Sequence, residues 1–320
     1  MKTIGGEMEL GQENIFSCVT DSGRSSLKLI VRGLPKKMKY ALPDFICSSV
    51  VDVFRKSHSD FSFYKVNEDF SIDRESLRRI KFDVFYSVNY FGQKNNYLST
   101  IRKNKILLED SVFLPELKRP EYTGDWIAFN SFRKISPLAD GSIINSTIEL
   151  RENLIKKDAA PFSGLKYKAK NIKYEYIHSK GHSEKKYLEL FEEAEKKLDA
   201  QETIYGISGT SLFNLLDFYK NLKDENAVRK GNFEILNKKL KSMRIEINPE
   251  FPSFFPLKVN RRNELRKYLF SKKIFLPVHW PAPVWLKNGL YEKIISIPVD
   301  SRYTAGDMSG IVAAIKAFYE

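Results

Sequence analysis

Short strand-like and helix-like segments alternate through the first half of this 320-residue chain, and this alternation restricts the fold more than any other feature. Residues 39–43 (KYALP) are typical of a strand, and residues 46–56 (ICSSVVDVFRK) space their apolar side chains as a helix does. A strand at 61–66 and a short polar helix at 73–80 follow. We predict further strands at 82–88, 105–109, 125–129 and 141–145. The pattern predicts an α/β fold, with a mostly parallel central sheet covered by helices on both faces.

The second half has a different character and predicts a smaller α+β domain. Helical spacing is found in residues 184–200 and 211–243, and a final helix is predicted at 307–319. Strands are predicted between these helices, at residues 254–259, 274–278 and 294–299. The change occurs in a lysine-rich segment at 150–182. We therefore predict a large domain over residues 1–180 and a smaller domain over residues 181–320.

The charge is the compositional feature that bears on function. The chain has 53 basic and 40 acidic residues, a net charge of +13, which favours anionic partners. We do not predict nucleic-acid binding, because basic and acidic residues are interleaved and no zinc-finger, RNA-recognition or helix-turn-helix signature is found. The sequence shows no signal peptide and no apolar window that approaches the roughly 20 residues of a membrane span. With Cys18 and Cys47 as the only cysteines, we expect a cytoplasmic protein without a disulfide framework, and we predict no metal site.

Two motifs place phosphate-binding and acidic groups beside predicted elements. Residues 21–27 (DSGRSSL) form a small-residue turn before a helical run. The N-terminus of a helix presents free backbone N–H groups and a positive dipole end to a phosphate. The acids of residues 107–111 (LLEDS) end an apolar strand, where open α/β sheets place their ligands. Taken alone, an ordinary capped turn and a solvated strand end explain these two motifs more simply.

Two further residues follow predicted strands. Lys134 lies after the strand at 125–129, next to Arg133 and ahead of another strand. A lysine in a desolvated site loses its proton and becomes a nucleophile towards aldehydes, although adjacent basic residues are more often solvated surface cations. Phe45 directly follows the strand at 39–43 and is suited either to stack on a flat ligand or to lie in the core.

The four motifs together are more specific than any one of them. In chain order they supply a turn for a phosphate, an aromatic ring, a carboxylate at a strand end and a lysine. Pyridoxal phosphate requires these four groups, because its phosphate, its flat ring, its pyridine nitrogen and its aldehyde each need a different partner.

On these motifs the chain resembles the DegT/StrS family of sugar aminotransferases, which are fold-type I pyridoxal-phosphate enzymes. The resemblance covers nearly the whole chain and implies a large cofactor-binding domain followed by a smaller C-terminal domain. The segments similar to motifs of the family are residues 4–7 (IGGE), 22–27 (SGRSSL), 42–47 (LPDFIC), 88–93 (VNYFGQ), 108–111 (LEDS), 129–141 (FNSFRKISPLADG), 277–281 (PVHWP) and 297–303 (IPVDSRY).

The resemblance implies a role for individual residues. Lys134 would hold the cofactor as a Schiff base, Asp110 would partner the pyridine nitrogen, and Phe45 would stack on the ring. The residues that would contact the cofactor phosphate are Gly23, Arg24, Ser25 and Ser131. A weaker similarity suggests substrate or cofactor contacts for Tyr90, Gln93, His279 and Arg302. For His279, a buried position in the core is an equally good interpretation.

The reaction that the resemblance implies is transamination, from glutamate to a keto-sugar carried on a nucleotide, by a homodimer that serves sugar or surface polysaccharide biosynthesis. Several family motifs are altered, at residues 111–113 (SVF) and 140–142 (DGS), and the family's Gly-x-Asn-x-Arg segment is not found. Two alternatives stay open. One is a different reaction on the same cofactor, although Lys134 argues against a dehydratase that carries histidine at this position. The other is a non-catalytic binding or regulatory protein.

Overall fold

A seven-stranded sheet forms the centre of the protein in a computed structural model that describes residues 15–95, 101–178, 181 and 183–320. The sequence segment at residues 4–7 lies outside the described residues. The strand order is β1-β7-β6-β5-β4-β2-β3. Five neighbouring strands, β6, β5, β4, β2 and β3, are parallel to one another, whereas β7 is antiparallel to both of its neighbours. The strands are β1 (Phe16–Thr20), β2 (Lys39–Pro43), β3 (Asp60–Tyr64), β4 (Val84–Val88), β5 (Ile106–Asp110), β6 (Trp126–Phe129) and β7 (Ser142–Ser146).

Helices cover both faces of this sheet, as the alternation in the sequence predicts. Every residue of β4 and of β6 is buried, as expected for parallel strands between two helical layers. Leu29 and Ile30 of the first helix are completely buried against the sheet. The helices of this half are α1 (Gly23–Gly33), α2 (Ser48–Lys56), α3 (Arg74–Arg78) and α4 (Phe132–Ile135). The prediction of a mostly parallel α/β sheet is confirmed.

The second half adds a helical hairpin and a separate α+β core. Helices α5 and α6 pack against each other, and β8 pairs with β9 in parallel. A second hydrophobic core is formed by α8, α9 and α11 over the antiparallel pair β10–β11. The elements are β8 (Ile155–Ala159), α5 (Pro161–Ile177), α6 (Glu184–Ala200), β9 (Ile204–Gly206), α7 (Gly209–Lys220), α8 (Leu222–Lys239), β10 (Phe254–Lys258), α9 (Arg262–Ser271), α10 (Leu290–Lys293), β11 (Ile294–Pro298) and α11 (Ala305–Tyr319).

The elements α5, α9, β8 and β9 are not predicted by the sequence analysis, and two predicted elements of the second half differ in the structure. The helical stretch predicted at 211–243 is two helices, α7 and α8, which are separated at Asn221. The prediction of a strand at 274–278 is wrong, since these residues form no strand. Pro277 has no backbone N–H to continue a ladder, and its carbonyl accepts one bond from Ser296 N at 3.0 Å. The predicted domain boundary at residue 180 lies between α5 and α6, and it stays a prediction.

Within the described ranges, none of the helices combines the length and the apolar character that crossing a bilayer requires.

Candidate active site

The N-terminus of α1 approaches the carboxyl ends of β5 and β6 at a glycine. A Cβ atom added to Gly23 would lie 3.2 Å from the carbonyl oxygen of Asn130, 3.2 Å from Cγ1 of Val112 and 3.4 Å from Cβ of Ser131. A side chain at this position would therefore push the helix away from both strand ends. Because residue 23 is glycine, the backbone N–H groups of the first turn of α1 can lie close to the carboxyl ends of β5 and β6.

A buried carboxylate holds the turn before α1. The Oδ1 atom of Asp21 accepts a hydrogen bond from Ser22 Oγ at 2.5 Å, and Oδ2 accepts bonds from Gln201 Nε2 at 2.8 Å and Tyr205 N at 3.2 Å. Ser22 is the N-cap of α1, because its hydroxyl accepts the Ser25 N–H at 3.2 Å. Burial raises the pKa of Asp21, although its four hydrogen-bonding partners act in the opposite direction. The turn is thus joined to the segment that follows α6.

Two carboxylates of α6 engage arginines beside this turn. Arg24 donates to Asp199 Oδ1 at 2.7 Å and to the carbonyl oxygen of Leu198 at 3.0 Å. Arg133 donates to Glu195 Oε1 at 3.2 Å. The Arg24 guanidinium, which the sequence analysis assigns to a phosphate, therefore points to α6, while its backbone lies in the first turn of α1. A phosphate at this turn would meet the Arg24 backbone N–H rather than its paired side chain.

Asp110 ends β5 and is only 4% exposed. Its Oδ2 atom accepts a hydrogen bond from the hydroxyl of Tyr86 at 2.6 Å, and Oδ1 accepts one from Val112 N at 3.2 Å. Burial raises the pKa of Asp110, and the two hydrogen bonds and the positive charge of Lys134 act against this rise. The side chain is therefore a buried, oriented carboxyl group whose protonation state depends on a nearby cation.

Lys134 lies in α4, one turn after the end of β6. The helix begins after Ser131, whose carbonyl oxygen accepts the Lys134 N–H at 3.1 Å. The Nζ atom lies 5.3 Å from the ring centroid of Phe113, and no described residue accepts a hydrogen bond from it or forms an ion pair with it. Burial lowers the pKa of Lys134, an effect that the charge of Asp110 opposes. An amine with a lowered pKa is uncharged more of the time, and the uncharged form is the nucleophile.

His279 is a neutral group on the same side of the sheet. Its Nδ1 atom lies 2.9 Å from Ser296 Oγ, and its ring centroid lies 5.6 Å from that of Phe113 and 4.6 Å from that of Phe254. Burial and the charge of Lys134 lower the pKa of His279 to about 3. The imidazole is therefore uncharged at neutral pH and packs among aromatic rings, and a substrate or cofactor contact for His279 stays a prediction.

Phe45 is placed inside an aromatic cluster. Its ring is fully buried and stacks with Phe70 at a centroid distance of 6.0 Å and an interplanar angle of 12°. Trp280 and Tyr291 pack against it with centroid distances of 5.2 Å and 5.0 Å. Tyr90 contacts the same ring and donates its hydroxyl to the Phe45 carbonyl oxygen at 2.5 Å. Stacking of Phe45 on a cofactor therefore stays a prediction, as does a substrate contact for Tyr90.

The remaining two candidates lie in structural contacts. The side-chain oxygen of Gln93 accepts the Asn248 N–H at 2.6 Å, which ties the end of β4 to the second half of the chain. Arg302 donates to both carboxylate oxygens of Asp300, at 2.6 and 2.9 Å, and its side chain is 65% exposed. Neither contact reaches Asp110 or Lys134, so substrate binding by these two residues also stays a prediction.

Sequence reasoning missed two residues that shape the site. Tyr86 looks like an ordinary core residue in an apolar strand, and its hydroxyl acquires a role only because β4 and β5 are neighbours. Gln201 follows a charged helix and is 180 residues from Asp21, so nothing in the local sequence points to their contact. A buried tyrosine on a central strand was the one available signal, since a buried hydroxyl needs a partner.

The residues brought together fit pyridoxal phosphate. Gly23 and Ser131 lie side by side at the N-terminus of α1, which suits a phosphate. Asp110 provides an oriented carboxyl group, and Lys134 provides an amine that no described residue engages. The donor set thus contains a phosphate cradle, a partner for a ring nitrogen and an amine for an aldehyde.

No protein-family model matches the sequence, and no curated protein matches it. Solved structures are similar over almost the whole chain. DesV from S. venezuelae is 14% identical, with a TM-score of 0.66 over 95% of this chain and 85% of DesV. A DegT DnrJ EryC1 StrS aminotransferase from Brucella abortus is 16% identical, with a TM-score of 0.64 over 94% of this chain and 85% of its own.

A third similar structure is Helicobacter pylori PseC, an aminotransferase involved in the biosynthesis of pseudoaminic acid. It is 13% identical, with a TM-score of 0.65 over 94% of this chain and 86% of PseC. At these identities the similarity establishes the fold. The chain has the same fold as these aminotransferase structures.

Proposed function

We propose that the chain is a pyridoxal-phosphate-dependent aminotransferase that moves an amino group from glutamate to a keto-sugar carried on a nucleotide. The observation that carries this proposal is the Lys134 amine, which no described residue engages and which shares a sheet edge with Asp110 and the N-terminus of α1. The fold-level similarity to aminotransferases supports the same reaction class. A biosynthetic role in sugar or surface polysaccharide metabolism is part of the proposal.

The bound cofactor supplies an electron sink for proton transfer at the carbon that carries the amino group. The backbone N–H groups of Gly23, Arg24 and Ser25, with the Ser131 hydroxyl, are the groups we assign to its phosphate. Asp110 is assigned to the ring nitrogen. An anionic carboxylate at that nitrogen keeps it protonated, and the hydrogen bond from Tyr86 holds the carboxylate in one orientation.

Lys134 is assigned two tasks. Its lowered pKa makes the amine available as a nucleophile for the cofactor aldehyde, and the same amine accepts and returns the substrate proton. His279 faces this amine as a neutral imidazole, so it does not add a competing positive charge. Its assigned task is to hydrogen-bond the cofactor or the substrate through the ring nitrogen that Ser296 does not engage.

Absorbance spectroscopy tests the proposal directly. Wild-type protein mixed with pyridoxal phosphate should develop the visible band of lysine-bound cofactor, near roughly 400 nm. Lys134→Ala should lose this band, whereas the matched control Lys36→Ala, at an exposed position before β2, should keep it. Glutamate should then bleach the wild-type band. A band that glutamate leaves intact would reject transamination from glutamate, and a band that survives in Lys134→Ala would reject the assigned lysine.

We also propose that the protein acts as a homodimer. Helix α7 exposes an apolar row in which Leu212 is 53%, Phe213 71% and Leu216 71% exposed. Contiguous exposed apolar side chains of this kind mark interaction surfaces. Light scattering should therefore give a dimer for wild type and a monomer for Phe213→Glu, with unchanged circular dichroism. The compartment we propose is the cytoplasm, where the two free thiols, Cys18 and Cys47, would stay reduced.

One observation favours a second candidate, a non-catalytic binding protein with this fold. The ring of Phe45, which the resemblance assigns to the cofactor, is fully buried among other aromatic rings. Under this alternative the folded wild type would show no visible band with pyridoxal phosphate at any concentration tested, and isothermal titration calorimetry would detect no binding of the cofactor.

A further inference from the structure

A cavity of about 670 Å³ opens at the edge of the sheet opposite to Asp110 and Lys134. Its walls are formed by α3 with the turn that follows it, and by the residues at which β2, β4 and β5 begin. Because five residues of a parallel strand extend about 16 Å, this cavity is separated from the candidate active site by roughly the length of the strands. Its volume lies within the range of small-molecule sites, about 300–1,000 Å³.

The walls of this cavity are strongly basic. Six of the ten lining residues that the structure describes are basic, compared with 53 of 320 residues in the whole sequence. The basic lining residues are Lys39, Arg74, Arg78, Lys81, Arg102 and Lys105. Like charges gathered in a concave surface reinforce one another's potential and attract anions.

Among the described lining residues there is one carboxylate, Asp83, and it does not neutralise this charge. Asp83 lies 3.6 Å from the Nζ of Lys105, and its other oxygen accepts the backbone N–H of Lys39 at 3.0 Å. In the part of the chain that the structure describes, Arg78, Lys81 and Arg102 form no ion pair. Their charges are therefore available to a ligand. Two of these groups are guanidinium groups, which bind phosphate oxygens with two parallel hydrogen bonds.

Three of the described lining residues, Leu77, Ile80 and Phe82, are apolar. We call these three the floor of the cavity and the six basic side chains its rim. The Nζ of Lys105 lies 5.7 Å from the ring centroid of Phe82, so a cation and an aromatic face are presented side by side. Such a combination accommodates several negative charges at the rim and a flat ring against the floor.

We propose that this cavity binds a small polyphosphate, such as a nucleoside triphosphate or inorganic tripolyphosphate. The chemistry shared by these ligands is a short chain of phosphates, which the guanidinium and ammonium groups of the rim recognise. The site is independent of the amino-transfer function, since none of its lining residues belongs to the candidate active site.

Calorimetric titration of the full chain with tripolyphosphate, ATP and adenosine, at about 150 mM salt, tests the proposal. Wild type should bind tripolyphosphate and ATP. The double variant Arg78→Glu/Lys81→Glu should bind both at least about tenfold more weakly, because two attractive charges become repulsive. The matched control Lys223→Glu/Lys230→Glu changes the net charge equally at exposed positions of α8, and it should bind within about twofold of wild type.

The floor distinguishes the two sources of phosphate. If the ligand is a nucleotide, Phe82→Ala should weaken the binding of ATP and leave the binding of tripolyphosphate unchanged. Wild type should then bind ATP more tightly than tripolyphosphate. If the ligand is free polyphosphate, the two probes should bind alike and Phe82→Ala should affect neither. Circular dichroism and the melting temperature identify any variant that fails to fold. Absence of binding to wild type, or equal weakening in the control variant, would overturn the proposal.

Discussion

Tyr86 and Asp110 lie on neighbouring parallel strands and share a 2.6 Å hydrogen bond in which the phenol donates to the carboxylate. Both side chains are buried, and Tyr86 is completely so. The bond orients the carboxyl group towards the edge of the sheet at which Lys134 lies. Burial of Tyr86 and the charge of Asp110 raise the pKa of the phenol far above its usual range, so it remains a donor at every physiological pH.

This relationship predicts that Tyr86→Phe weakens cofactor binding without changing the fold. The variant keeps the ring in the core but leaves Asp110 with one hydrogen bond fewer. This loss favours the protonated acid and weakens the interaction of Asp110 with the ring nitrogen of the cofactor. Loss of a hydrogen bond to a charged group costs about 1.5–3 kcal/mol, which corresponds to a dissociation constant for pyridoxal phosphate about 10- to 100-fold higher. Fluorescence titration measures this constant. Tyr64→Phe is the control, because among the described residues its buried hydroxyl donates only to the backbone oxygen of Tyr86. An equal loss in both variants would contradict the prediction.

The lowered pKa of His279 predicts that the stability of the protein depends on pH. Its pKa is lowered to about 3 in the folded state, against about 6.5 in an unfolded chain, so the unfolded state binds a proton first as the pH falls. The stabilisation is therefore complete above about pH 6.5 and declines between about pH 6.5 and 3. Urea unfolding of wild type and His279→Gln across this range measures the effect. The difference in the free energy of unfolding between the two proteins should shift in favour of the variant as the pH falls, and a difference independent of pH would contradict the assignment.

We predict that alanine substitutions at two glycines, Gly23 and Gly231, change the free energy of unfolding in opposite directions. Gly23→Ala places a methyl group 3.2 Å from Asn130 O and Val112 Cγ1, so we expect a destabilisation of about 1–3 kcal/mol and weaker retention of phosphate-containing ligands. Gly231 lies within α8, where, apart from the neighbouring helix backbone, no atom of the described residues lies within 4 Å of the added methyl group. Gly231→Ala should stabilise the protein by about 0.5–1 kcal/mol, because alanine is the better helix former. Chemical denaturation compares the two, and a stabilising Gly23→Ala would show that α1 does not need its close approach to the strands.

Arg229 links α8 to α4, the helix that carries Lys134, and we predict that this link stabilises the fold. Its guanidinium pairs with Glu225 at 2.6 Å and donates to Ile135 O at 3.0 Å, at the C-terminal end of α4. Arg229→Met removes a buried charge, leaves Glu225 without its cationic partner and leaves the Ile135 carbonyl without this donor, which costs about 3–5 kcal/mol. The double variant Arg229→Met/Glu225→Leu should recover part of the lost stability, because no unpaired charge remains. Thermal unfolding measures both, and no recovery in the double variant would contradict this account.

Local patterns were sufficient to predict the elements that form the sheet edge. The strand at 39–43, the helix after Asp73 and the acid at the end of β5 are all found where the periodicity and the capping residues predict them. The helix predicted at 211–243 divides at Asn221, and the strand predicted at 274–278 is not formed. These two failures lie in the smaller half, where apolar spacing alone does not distinguish one long helix from two, or a strand from an extended loop.

The identities of Asp110 and Lys134, and their positions after neighbouring strands, follow from the order of residues along the chain. Their chemical state does not. The bond from Tyr86 to Asp110, the contact of Asp21 with Gln201 and the burial that lowers the pKa of Lys134 and His279 all arise between residues far apart in sequence. Strand periodicity and helix capping are local properties that a sequence displays directly. Hydrogen bonds, desolvation and the gathering of basic groups at the far edge of the sheet depend on distances that exist only after the chain has folded.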